Sequence, residues 1–226
     1  MTNADIHRTA RLSTCARRYS PAELARITAS MPLLARYSTP DPVWTEWALI
    51  FRDHYVENTV GLLLAAHRAG IPAEWVYALT KGDQTRNRDR VHATLLAHGF
   101  ASGLLDNTTI NAPQDHALDL AQGIAGVNAF IDTAHAAGRK VLVIDDGGLL
   151  AQGYGRVDAP RRVDGALELT VSGLNASPPP GRSVSPCSTW PDPSSRPALA
   201  TPRSPIPACG GCVNSCPPTK SSVDPS

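Results

Sequence analysis

The sequence predicts an α/β fold over residues 21–175: an open, mostly parallel sheet with helices on both faces. Three observations carry this expectation. Val141-Leu142-Val143-Ile144 is a four-residue apolar run bounded by turn formers, the mark of a strand covered on both faces. Helical periodicity and short apolar runs alternate along the chain, the pattern of strands joined in parallel through helices. After Asn175 large apolar residues become scarce, and Pro178-Pro179-Pro180 opens a Pro- and Ser-rich stretch to Ser226. Such a stretch cannot bury enough surface to offset the entropy of ordering it, so 176–226 is expected to be a disordered tail. Its sharp onset suggests an out-of-frame or unrelated extension.

The elements follow in order. Residues 1–20 are expected as a flexible N-terminus. Residues 21–37 read as one helix, with Ser20 as N-cap, Pro21 in the first turn and Glu23 completing a Ser-x-x-Glu capping box. Pro40 and Pro42 interrupt the chain, and helix resumes from Trp44 to Phe51, with Trp44 and Trp47 packed inward. A helix from His54 to Arg68 has Asp53 as N-cap and Val56, Val60, Leu63, Leu64 and His67 at helical spacing; Gly70 and Pro72 close it. Trp75–Leu79 reads as the first strand and Lys81-Gly82-Asp83 as a turn.

Arg86–His98 is the next helix, with Val91, Leu95 and Leu96 inward and Gly99 at its end. A short strand is expected near Phe100–Leu105. The longest helix, Asp115–Ala137, carries the stripe Leu120, Ala121, Ile124, Val127, Ile131 and Ala134. Gly123 and Gly126 within it each cost about 1 kcal/mol against Ala, which implies close approach of a neighbouring element. Gly138 ends that helix, and Val141–Ile144 is expected at the centre of the sheet.

Charge and cysteine content narrow the function classes. Lys plus Arg number 21 against 20 Asp plus Glu, so the charge balance calls for no nucleic-acid partner and no anionic membrane surface. No apolar run approaches the roughly 18 residues that a membrane helix requires. Arg8, Arg11, Arg17 and Arg18 lie among Ser and Thr without the apolar centre of a secretory signal, leaving an organelle leader or a frayed N-terminus; the expected location is cytoplasmic. Cys15 stands alone. Cys187, Cys209, Cys212 and Cys216 lie in the tail, where three closely spaced thiolates find no histidine as a fourth ligand, and no metal is expected.

In an open α/β sheet ligands sit beyond the carboxyl ends of the strands, where Asp145 and Asp146 fall. Two chemistries suit them: an acid–base pair sharing a proton, or the turn-forming role that Asp and Gly play at a tight strand exit. Glu168 reads either as a cleft residue or as a polar position on a half-exposed strand. His54 reads as a pocket residue or an exposed first-turn residue. Thr170 and Ser172 are candidate hydroxyl donors that fit a plain β-strand equally well.

Asp145-Asp146-Gly147-Gly148, followed by Gly165-x-x-Glu168-x-Thr170-x-Ser172-Gly173, resembles the substrate domain of the S-adenosylhomocysteine hydrolase (adenosylhomocysteinase) family. His54-Tyr55-Val56-Glu57-Asn58-Thr59-Val60, with the Leu-rich helix and Gly70 after it, is similar to that family's His-x-Thr-x-(Glu/Gln)-Thr helix start. The resemblance covers about residues 40–175. It implies an NAD-dependent thioether hydrolase that binds adenosine or adenosylhomocysteine between this domain and an inserted NAD-binding domain. By position it implies Asp146 as the active-site acid, His54 at the nucleoside pocket, Asn58 near the base, and Asp145, Glu168, Thr170 and Ser172 around the same cleft.

The chain departs from the family at Val56, where the family has Thr, at Leu169, where it has a second Glu, and at Leu149, where it has Asp. No Gly-x-Gly-x-x-Gly occurs, and the family's proton-transfer Lys and Asp would fall beyond residue 175. The expectation is therefore a truncated, divergent nucleoside-binding region, inactive as this chain, with NAD bound only in the full-length family. A homo-oligomer is expected if the missing segment leaves a sheet edge bare. The alternative is a non-catalytic α/β module that binds a protein partner.

Overall fold

The computed structural model describes residues 12–82, 85–154, 163–171 and 173. The expected tail and its cysteines, and Ser172, lie outside these residues. Five strands form one all-parallel sheet in the order β3-β2-β1-β4-β5: β1 Trp47–Asp53, β2 Val76–Thr80, β3 Ala101–Leu104, β4 Lys140–Asp145 and β5 Gly165–Glu168. Helices α1 (Pro21–Ala29), α2 (Pro32–Tyr37), α3 (Glu57–Ala69) and α4 (Arg88–Ala97) alternate with α5 (Asn107–Asn111) and α6 (Ala117–Ala136) along the chain. The expected fold class is the one observed.

Side-chain alternation splits β1 between two apolar cores. Leu49 and Phe51 pack with Ile27, Val60, Leu63, Val91 and Leu95 from α1, α3 and α4. Ala48 and Ile50 pack on the opposite face with Val127, Ile131 and Ala134 of α6. Helices therefore cover both faces, as the alternating pattern implied.

The centre of the sheet is β1, which corrects two expectations. The segment Trp44–Phe51 is not helical: Pro42–Glu46 forms a 3-10 turn and the chain then extends. Ala48-Leu49-Ile50-Phe51 is an apolar run of the same kind as Val141–Ile144, and all four residues are at most 2% exposed. A run this short and uniformly apolar carries no period, so helix and buried strand look alike until pairing is known. Consequently Val76–Thr80 is the second strand, and Val141–Ile144 lies one place away from the centre. Trp44, Trp47 and Trp75 are half-buried on the rim.

The remaining boundaries shift for local reasons. Residues 21–37 form two helices, because Pro32 has no N–H to continue the first and instead starts α2. The Ser20–Glu23 capping box is present in both directions. Helix α3 begins at Glu57 with Val56 as an uncapped N-terminus, so Asp53 is not a cap and His54 lies in the turn before the helix. Leu96 is 38% exposed rather than inward. Along α6 the stripe holds at Val127, Ile131 and Ala134, while Ala121 faces out. A Cβ at Gly123 would come within 2.7 Å of Leu105 Cδ1, and one at Gly126 within 3.2 Å of the Tyr77 hydroxyl. Close approach is the reason for both glycines.

Candidate functional site at the carboxyl edge

In the order 3-2-1-4-5 the chain winds one way from β1 to β3 and then starts again on the other side with β4. The crevice beyond the ends of β1 and β4 is thus the topological switch point, where ligands of open α/β sheets bind. The register of these strands decides which side chains meet there. Arg52 stands opposite Asp145, and the parallel ladder continues one step, with the Asp146 N–H donating to the Arg52 carbonyl at 2.9 Å. Asp53 stands opposite Thr80, and the Lys81 N–H donates to the Asp53 carbonyl at 3.1 Å. Asp53, Lys81 and Asp146 are gathered by backbone pairing before any side chain is considered.

Alternation sends Arg52 and Asp145 to the α6 face and leaves Asp53 and Asp146 together. Arg52 and Asp145 are both fully buried. The guanidinium donates to Asp145 Oδ1 at 3.1 Å and to the carbonyls of Leu105, Asp146 and Gly147, and its Nη2 donates to Asn107 Oδ1 at 2.6 Å. Asp145 Oδ2 accepts from the N–H groups of Gly148 at 3.1 Å and Leu150 at 2.9 Å. Asp145 therefore holds the Asp-Asp-Gly-Gly turn from below, its carboxylate fully buried and engaged by Arg52 and two backbone N–H groups rather than turned to the cleft with Asp53.

Asp146 is paired differently. Lys81 Nζ makes an ion pair with Asp146 Oδ2, and both side chains are largely buried. Asp146 Oδ1 is buried, with no N–H and no alcohol hydroxyl of the described residues placed to donate to it. Its neighbour is the Asp53 carboxyl, with which it shares a hydrogen bond. Burial and that shared bond push Asp53 up to about 6, although the His54 N–H donates to its Oδ1 at 2.5 Å. Burial also acts to raise Asp146, but the hydrogen bonds from Asp53 and Lys81 outweigh it and hold the group below the ordinary carboxylate value. Asp53 thus takes up a proton as pH falls through about 6, where Asp146 is still ionised.

His54 is exposed at the mouth of this group, its ring lying where a side chain at Gly82 would collide with Nδ1 at 2.9 Å. Partial burial, and then the Lys81 ammonium, hold its imidazole below the ordinary value. Tyr55 fixes the turn: it is fully buried, and its hydroxyl donates to the Ala78 carbonyl at 2.9 Å while Ser102 Oγ lies 2.6 Å away. Thr59 Oγ1 closes the same turn on the His54 carbonyl at 2.5 Å.

Glu168 ends β5 beside the turn. Its Oε1 accepts from the Gly147 N–H at 3.0 Å and from the N–H and hydroxyl of Thr170, at 2.9 and 2.8 Å. Glu168 and Thr170 so tie β5 to the Asp-Asp-Gly-Gly turn, and Glu168 Oε2 is buried without such a partner.

A cleft of about 550 Å³ opens against β1 on the α1–α3 face. Met31, Leu33, Phe51, Leu62 and Leu169 supply apolar walls, and Asp53 and Asn58 supply polar groups. Apolar walls with a few fixed polar groups are the usual make-up of a small-molecule site. Of the residues singled out in the sequence, Asn58 lines this cleft; Asp146 and His54 stand around Asp53, which lines it too. In the sequence Asp53 reads only as a helix cap and Lys81 only as a turn residue, and Arg52 is not singled out, since their meeting depends on a register hidden by the helical reading of β1. A second concavity of about 370 Å³ lies between β3 and α6. Its acids are committed elsewhere, Asp106 to the Thr108 N–H and Asp119 to His116.

The β1–α3 turn does not suit a dinucleotide. It runs Arg52-Asp53-His54-Tyr55-Val56, with no glycine to admit a pyrophosphate and with an acid, Asp53, at its start. Among the described residues no group of three or more His, Cys, Asp or Glu side chains is placed to hold a metal, and no helix is long and apolar enough to cross a membrane. No protein-family model and no curated protein matches the chain.

Proposed function

We propose that this chain binds a nucleoside of the adenosine or adenosylhomocysteine type in the cleft beyond β1, as the substrate-domain-like part of an NAD-dependent thioether hydrolase. The observation that carries the reading is the cleft's place: an apolar, ligand-sized concavity meets an Asp53–Asp146–Lys81 group at the switch point of the sheet. The apolar walls suit a purine base, with Asn58 as a base-edge partner, and the carboxyl groups suit the ribose hydroxyls. The Asp-Asp-Gly-Gly turn and the Gly-x-x-Glu-x-Thr segment support the same family. Hydride chemistry is assigned to no residue here, because the crevice of this sheet does not fit the nicotinamide dinucleotide.

Calorimetric titration of the full chain with adenosine and adenosylhomocysteine tests the proposal. Binding tighter than about 1 mM, worth about 4 kcal/mol, that weakens in Asp146→Asn supports it. Absence of such binding sinks it.

A second reading rests on a separate observation. Leu167 on β5, and Leu169 and Val171 just beyond it, are 49%, 49% and 72% exposed. An apolar stripe at a sheet edge favours a module that docks a protein partner. That module binds no nucleoside and is indifferent to Asp146→Asn.

A further inference from the structure

We infer that Asp53 is the group that takes the nucleoside, and that binding expels the proton Asp53 shares with Asp146, so that the site selects ligands that present hydroxyl or amino donors and carry no negative charge. The inference rests on the proposed nucleoside site and names the residue and the linkage that the family motifs do not.

The geometry makes the argument. Among the described residues that line the cleft Asp53 is the only acid, and Phe51, two residues before it on β1, lines the cleft as well. One of its oxygens already accepts the His54 N–H at 2.5 Å. The carboxyl also hydrogen-bonds to Asp146, whose Oδ2 is held by Lys81 and whose Oδ1 is buried without a donor from elsewhere. Two adjacent carboxylates in this setting cannot both ionise without cost, so below about pH 6 a proton stays on Asp53. A ligand hydroxyl that donates to Asp53 needs a carboxylate acceptor, and the carboxylate exists only after that proton leaves. The released proton goes to solvent, and the ligand's donor replaces it.

The charged groups that face Asp53 fit this exchange. Lys81 comes from β2 and favours ionisation; Asp146 comes from β4 and opposes it. His54 lies on the same turn and is held below its ordinary value. The Ser30–Leu34 segment and Leu169, which form the other walls, bring no charge. A phosphate or carboxylate on the ligand would meet two acids with the one nearby ammonium already paired.

Burial and the bond to Asp146 set Asp53 near 6. A ligand that binds only ionised Asp53 then loses affinity about 10-fold from pH 7 to pH 5. At pH 5.5 roughly three-quarters of a proton is released per ligand bound.

The test is calorimetry of the full chain with adenosine at pH 5, 5.5, 6 and 7, in buffers of different ionisation enthalpy. The expected result is weaker binding at low pH, proton release at pH 5.5, loss of both in Asp53→Asn, and retention of the pH dependence in His54→Gln. The wild-type proton count stands even if a variant fails to fold. Adenosine binding that is independent of pH, or tighter at low pH, overturns this inference and leaves the proposed function intact. No binding at any pH overturns both. Adenosine 5′-monophosphate binding as tightly as adenosine overturns the charge selectivity.

Discussion

Arg52 and Asp145 stand opposite one another in the parallel register of β1 and β4, and their charged groups meet at 3.1 Å with neither side chain exposed. Five acceptors from two segments, 105–107 and 145–147, converge on this one guanidinium. It is the brace beneath the carboxyl edge. Removing one partner of a buried pair leaves an uncompensated charge, at a cost of about 3–5 kcal/mol. Arg52→Met is therefore expected to lower the urea midpoint sharply at pH 7. Asp145→Asn, which keeps the shape and part of the hydrogen bonding, should cost less. A midpoint for Arg52→Met within experimental error of wild type would show that the brace is dispensable.

Gly148 closes the Asp-Asp-Gly-Gly turn at φ +124°, a conformation that side-chain-bearing residues rarely adopt, and a Cβ there would lie 2.9 Å from Ile110 Cγ2. Backbone strain of about 1–3 kcal/mol adds to the clash. Gly148→Ala should destabilise by at least that amount in a thermal melt and loosen the N–H bond to Asp145. Gly123→Ala tests the other face. Its Cβ would come within 2.7 Å of Leu105 Cδ1, and Leu105 is 2% exposed. Overpacking of about 1–3 kcal/mol should exceed the roughly 1 kcal/mol gained in helix propensity.

The protonated carboxyl at the edge makes stability depend on pH in a direction opposite to that of most acids. Asp53 has a folded-state pKa of about 6, above its value in an unfolded chain. The folded state binds the extra proton, so this contribution is fully present below about pH 4 and is lost as pH rises through 6. Asp146, held low, contributes stability that is present above the ordinary carboxylate range and is lost only as pH falls below it. Between pH 4 and 6 His54 and His92, both held below the ordinary imidazole value, also titrate, so the Asp53 effect is read as the difference between wild type and Asp53→Asn. Discounted for its half-exposed setting, it amounts to about 1 kcal/mol, or about 2–4 °C. Asp53→Asn should accordingly melt higher than wild type at pH 8, with the difference vanishing near pH 4. An equal difference at both pH values would contradict the assignment.

Ser20 caps α1 by accepting the Glu23 N–H at 3.3 Å, while Glu23 Oε2 accepts the Ser20 N–H at 2.8 Å. Arg90 reaches from α4 to the Glu23 carboxylate at 2.6 Å and lies over the Tyr19 ring at 3.9 Å. The cap is thus also a tether between α1 and α4. Ser20→Ala should cost about 1 kcal/mol. Hydrogen exchange should show the added opening confined to α1 if the tether through Arg90 holds.

The sequence by itself determined the strand–helix alternation, the capping box, the glycines that admit Leu105 and Tyr77 against α6, and the placing of Asp146 at the end of a buried strand. Each is written in a few neighbouring residues, where propensity, capping chemistry and periodicity act locally. Only the tertiary structure decided that Ala48–Phe51 is the central strand, because an apolar run without a period takes its form from what pairs with it. That one decision fixes the rest of the edge. Once β1 lies beside β4 in register, the two-residue repeat sends Arg52 to Asp145 and Asp53 to Asp146, and β2 delivers Lys81. Charges far apart in sequence become partners through backbone hydrogen bonds, which no local pattern encodes.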